Sequence, residues 1–134
     1  MIKVIIAGSR YFNDYEFLQE KMDKLLNRYL FCPEEVEIIS GHASGADSLG
    51  ERYAKSRGFS LKLFPDDWDN YGKSAGPIRN AQMADYATHC AVFWNGFSKG
   101  SSNMINVAKY AGLKVKEFKV TIPLPPPYKT PKGL

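Results

Sequence analysis

Only two of the 134 residues are cysteine, Cys32 and Cys90, and only two are histidine, His42 and His89. The two thiols lie far apart in sequence and in no metal-ligand spacing. They exclude a disulfide-stapled scaffold and read as ordinary reduced thiols of a cytoplasmic protein. Two histidines without matching Cys or Asp spacing leave no basis for a bound metal or a histidine-based nucleophilic triad. Apolar runs near the roughly 20 residues needed to cross a bilayer are also lacking, so no membrane partner is expected. The chain opens directly on the strand-like Ile2–Ala7 without a small-residue cleavage site, which argues against a secretory leader. An excess of one charge is missing too, once the net +4 is located. Residues 1–113 carry 13 basic and 13 acidic side chains, and the surplus comes from Lys114, Lys116, Lys119, Lys129 and Lys132 against Glu117. A basic tail is a weaker signal than a basic face, so a nucleic-acid partner is expected only through that tail.

What is present is a strand–helix alternation. Ile2–Ala7 is a β-branched run ending at Gly8-Ser9-Arg10, a buried parallel strand followed by a turn. Asn13 with Glu16 resembles a capping box, and Phe17, Leu18, Met22, Leu25, Leu26 and Tyr29 predict a helix of about four turns, stopped by Pro33. Val36–Ser40 is the second strand. Ala46, Leu49, Tyr53 and Ala54 mark the next helix, ended by Gly58, and Leu61–Phe64 is a short third strand. Residues 65–76 are polar and aromatic without periodicity, a loop long enough to suggest function. Pro77 opens a third helix carrying Ile78, Ala81, Ala84 and Ala87. Cys90–Trp94 is the fourth strand, a helix bearing Ile105, Ala108 and Ala111 follows, and Val115–Val120 is the fifth strand. This alternation predicts one α/β domain over residues 1–120: a five-stranded parallel sheet, order 3-2-1-4-5, with helices on both faces in three layers. Residues 121–134 hold five prolines and read as an extended tail.

Open parallel sheets bind ligands outside the carboxyl ends of their strands, where strand order reverses. Small and polar residues cluster there: Gly8, Ser9 and Arg10; Gly41, His42, Ser44, Gly45 and Asp47; Gly76, Arg79 and Asn80; Trp94, Asn95, Gly96, Ser98, Gly100 and Ser101. Small residues joining a strand to a helix expose amides at a helix N-terminus, a site suited to phosphate. Any one cluster can be a mere turn, whereas four that converge point to a ligand. Arg10 and Arg79 are the favoured cations, because a guanidinium fork matches phosphate oxygens; the alternative is a surface ion pair. Lys73 is a weaker candidate. Ser44 and Ser101 are open to an N-cap role as well as ligand contact. Asp47 either caps its helix or enters the pocket. Glu51 either pairs with Lys55 on a solvated face, the preferred reading, or turns inward as an acid or base. Asp66, Asp67 and Asp69 read as a solvated acidic loop rather than a metal site. Trp68, Tyr71 and Trp94 are either core or a stacking surface for a base.

Five segments taken together resemble a known family. Ile6–Arg10, Ser40–Asp47 with Gly50–Ala54, Phe64–Trp68 with Tyr71–Lys73, Ala75–Asn80 with Met83, and Phe93–Gly100 are similar to the YspA-like (DUF2493) branch of the SLOG superfamily, over about residues 2–119. The resemblance implies a Rossmann-like fold of bacteria and their phages that binds nucleotides or nucleotide-derived small molecules. It also favours a homodimer. Relatives in the wider superfamily include phosphoribohydrolases, DNA-processing proteins and sensors of nucleotide signals. The phosphoribohydrolases carry a Pro-Gly-Gly-x-Gly-Thr-x-x-Glu signature. Here Phe97–Met104 stands in that place, with Ser101 for the threonine and Met104 for the catalytic glutamate. Ser40-Gly-His-Ala also departs from the more glycine-rich turn of the branch.

The leading expectation is therefore a module that binds a phosphorylated nucleotide at the strand ends and needs no cofactor. The alternative is an enzyme cleaving a nucleotide N-glycosidic bond, with Asp47 or Glu51 as the carboxylate. A third is a DNA-associated protein using the lysine-rich tail.

Overall fold

The computed structural model describes residues 1–123. The tail expected from residue 121 lies mainly outside them. Five parallel strands form one sheet in the order β3-β2-β1-β4-β5: β1 (Ile2–Gly8), β2 (Val36–Ser40), β3 (Ser60–Leu63), β4 (His89–Trp94) and β5 (Lys114–Lys119). Five helices connect them: α1 (Tyr15–Leu25), α2 (Ala46–Arg57), α3 (Trp68–Tyr71), α4 (Ala75–Tyr86) and α5 (Lys99–Tyr110).

Successive side chains of β1 point to opposite faces, and both faces are covered, which is why its sequence is continuously apolar rather than alternating. Val4 and Ile6 join Leu18, Met22 and Tyr53 beneath α1 and α2. Ile5 and Ala7 join Met83, Met104 and Ile105 beneath α4 and α5. On the first face Phe93 stacks between Phe12 and Phe118, with ring centroids 5.6 and 4.8 Å away. Gly50 lets α2 lie directly on β1, since a Cβ there would sit 2.8 Å from Ile6. Between the last turns of α1 and α2, Arg57 grips Asp23 in a bidentate pair at 2.9 and 2.7 Å, and the Tyr53 hydroxyl donates to the same carboxylate at 2.8 Å. That guanidinium holds the Asp23 carboxyl below the usual range. No helix among the described residues is long and apolar enough to cross a membrane.

Local details differ from expectation. Asp14, not Asn13, caps α1 by accepting from the Phe17 amide at 3.1 Å. The long helix ends at Leu25 and gives way to two short 3-10 turns, Asn27–Tyr29 and Pro33–Glu35. Residues 65–76 are not a bare loop: they hold α3, a 3-10 turn at Gly72–Ser74 and the start of α4 at Ala75, two residues before Pro77. The fourth strand, expected from Cys90, opens one residue earlier at His89.

Candidate functional site

Strand order reverses between β1 and β4, and the connections leaving their carboxyl ends diverge to opposite faces of the sheet. This opens a cleft of about 650 Å³, within the range that holds a small ligand. Its floor is the end of β1 with Met83 and Met104, and its walls are the first turns of α2, α4 and α5. Of the residues expected at the strand ends, Gly8, Ser9, Arg10, Asp47, Gly76, Arg79, Asn80, Ser98, Gly100 and Ser101 line this one cleft. Gly41, His42, Ser44, Gly45, Glu51, Trp94, Asn95 and Gly96 do not. They belong to the turns behind its walls or at its side.

The wall made by α5 begins with Ser98, whose hydroxyl accepts from the Ser101 amide at 3.3 Å. Ser98 is thus the N-cap, and Ser101 is free of that task. Ser44 caps nothing either, because Gly45, at φ 73°, holds the N-cap position of α2. The Ser101 side chain lies buried against the cleft with no hydrogen-bond partner for its Oγ among the described residues. Unpartnered buried hydroxyls are costly, so an acceptor or donor arriving in the cleft would find this one available. Gly76 and Gly100 stand in the first turns of α4 and α5. Among the described residues, a Cβ at Gly76 would meet nothing within 4 Å, and one at Gly100 only the Ser98 hydroxyl at 4.0 Å. Neither glycine is required by packing or by a positive φ.

Arg79 is held from three directions. Its Nη1 donates to the Gly41 carbonyl at 2.6 Å and lies 2.9 Å from Asp66 Oδ1, and its Nε donates to Asn80 Oδ1 at 3.0 Å. Rather than a surface pair, this is a nearly buried one, and Asp66 Oδ1 lacks a well-aligned hydrogen bond. Asn80 in turn ties α4 to α5, donating to the Gly100 carbonyl at 3.3 Å and to Asn103 at 2.9 Å. Asp47 is 6 % exposed and accepts from the Ala43 amide at 3.2 Å. Burial pushes its carboxyl up to about 6, against the opposing pull of the Arg79 charge.

Glu51 corrects the preferred reading. It does not face solvent beside Lys55 but turns inward, where Oε2 accepts from the Ser40 hydroxyl at 2.7 Å and lies 3.0 Å from His42 Nδ1. His42 itself sits at φ 60°, the left-handed region, with its amide donating to Ser40 Oγ at 3.0 Å. Behind the cleft, then, Ser40, His42 and Glu51 lock the turn that carries Ala43 and Asp47. Trp94 donates to Glu117 at 3.2 Å at the side of the sheet.

Sequence reasoning missed Tyr11, Asp66, Lys99 and Asn103 as cleft residues. Their only signal is adjacency to the expected clusters. The cleft's charged lining comprises Arg10, Lys73, Arg79 and Lys99 against Asp47 and Asp66, a positive balance. Cys90 lies within β4 against the α4–α5 core, where burial pushes its thiol up to about 12 and makes it inert.

Comparison with known proteins bears on this arrangement. Residues 2–71 match the YspA, cpYpsA-related SLOG family. The chain is 32 % identical over 124 residues to the Gene 61 protein of Mycobacterium phage D29, covering 88 % of this chain and 97 % of that protein. Among solved structures it is similar to DNA processing protein A from Streptococcus pneumoniae, with a TM-score of 0.65 at 20 % identity. That likeness covers 91 % of this chain but 52 % of the other, so this chain spans about half that protein's length and shares its Rossmann-like fold.

Proposed function

This chain belongs to the YspA, cpYpsA-related SLOG family, and from that premise we propose that it binds a phosphorylated nucleotide or a nucleotide-derived small molecule in the cleft at the strand ends. The observation that carries this reading is the wall built by α4 and α5: a buried hydroxyl, Ser101, without a partner among the described residues, beside two glycines that those residues leave uncrowded. First helical turns favour anions through their free amides and the helix dipole. Glycines there let an oxygen approach the backbone closely. A phosphate seated against Gly100 and Ser101 has Lys99, Lys73 and Arg10 in the same lining for its charge. Arg79, committed to Gly41 and Asp66, acts as the strut that shapes the wall.

Calorimetric titration with a panel of nucleotides tests the reading. Ser101→Ala should weaken binding about ten- to a hundredfold, the loss of one hydrogen bond to a charged group. Gly100→Val should abolish it while the fold persists. Failure of every nucleotide to bind the unaltered protein would overturn it.

A second reading is favoured by one observation. Asp47 lines the cleft with its carboxyl poised near 6, a value suited to general acid or base work. If the bound nucleotide is cleaved at its N-glycosidic bond, base release should vanish in Asp47→Asn and survive in Glu51→Gln, since Glu51 does not line the cleft. Binding without base release rejects this second reading.

A further inference from the structure

The cleft changes character toward its outer end. Its inner part is polar, with Asp47, Asn80 and Ser101 buried, whereas two aromatic side chains of the lining remain half exposed: Trp68 at 54 % and Tyr11 at 43 %. They come from connections far apart in sequence, Tyr11 after β1 and Trp68 from α3. Large rings left open to water forgo burial that a small domain needs, and Tyr53 and Phe93 of this chain are completely buried. The Trp68 ring is anchored at its edge. The Trp68 indole Nε1 donates to Asp66 Oδ2 at 3.3 Å, and Asp66 is paired with Arg79. Asp67 caps the helix that carries Trp68, accepting from the Asn70 amide at 3.2 Å. The Tyr11 amide donates to Ser9 Oγ at 3.2 Å. An indole whose edge is anchored while its face stays accessible is a platform for a flat ring.

We infer that Trp68 stacks the base of the bound nucleotide, with Tyr11 lining the same end of the cleft, so that the ligand lies with its phosphate at Ser101 and its base outermost. This rests on the nucleotide-binding reading and adds to it the orientation of the ligand and the source of its affinity. Because every base offers a π-face, stacking of this kind adds affinity without choosing among bases. Base choice then falls to polar groups around the platform.

The test compares ligands with and without a base on the full chain. The four ribonucleoside 5′-monophosphates and ribose 5-phosphate are titrated calorimetrically into the unaltered protein, Trp68→Leu and Trp68→Phe. Stacking predicts that at least one nucleotide binds about tenfold more tightly than ribose 5-phosphate, that Trp68→Leu erases this preference, and that Trp68→Phe keeps most of it. Ribose 5-phosphate affinity should be the same in all three proteins, which also reports that the variants are folded. Nucleotide preference intact in Trp68→Leu, or absent from the unaltered protein, overturns the inference while leaving phosphate binding standing. If ribose 5-phosphate and all four nucleotides fail to bind any of the proteins, the nucleotide reading falls and this inference falls with it.

Discussion

His42 occupies a backbone conformation, φ 60°, that costs a non-glycine residue on the order of 1 kcal/mol. The contact of its ring with Glu51 offsets part of that strain. His42→Ala keeps the strain and loses the contact, whereas His42→Gly loses both. In urea denaturation the glycine variant should therefore be more stable than the alanine variant by about 1 kcal/mol. Asp47 carries a larger cost. Its carboxyl rises from 3.8 to about 6 on folding, so below pH 4 it is neutral in both states and imposes no penalty. Between about pH 4 and pH 6 the unfolded chain ionises this carboxyl while the folded protein keeps it protonated, so stability falls by about 3 kcal/mol across that window and levels off above it. Asp47→Asn should remove that fall: compared with the unaltered protein, its unfolding free energy should be higher at pH 7 and converge toward it at pH 4. A destabilising carboxylate at the cleft wall is consistent with a role in the ligand rather than in the fold.

At the scale of elements, the helix starts decide the site. Gly76 and Gly100 weaken the first turns of α4 and α5 for no structural return. Gly76→Ala and Gly100→Ala should each raise the unfolding free energy by up to about 1 kcal/mol, and each should weaken nucleotide binding, because the added methyl occupies the approach to the backbone. Stability gained together with unchanged affinity would place the phosphate elsewhere. These starts were only partly legible. Ser98-Lys-Gly-Ser-Ser102 contains three candidate caps, and only the extended backbone at Ser98 selects it and frees Ser101. In the same way, the Asp67 cap and the 3-10 turn at Gly72–Ser74 draw Trp68 and Lys73 into the lining, which apolar periodicity cannot register because those turns bury little.

For the whole molecule, the surplus positive charge arises from Lys114 onward, yet the cleft has a positive balance of its own. Affinity for a phosphorylated ligand should fall as salt rises. Lys73→Gln with Lys99→Gln should flatten that dependence, and Lys116→Gln on the outermost strand β5 should leave it unchanged. The strand order, the two buried faces of β1 and the gathering of ten expected residues at one cleft follow from apolar period and small-residue turns, which are local properties written along the chain. Tertiary structure alone decided which polar groups are spent and which are free. Glu51 is consumed by Ser40 and His42, Arg79 by Gly41 and Asp66, while among the described residues Ser101 keeps its hydroxyl unpartnered and Trp68 stays half exposed. Each of those outcomes depends on a partner brought from another connection of the sheet, and no spacing along the sequence encodes a distance across it.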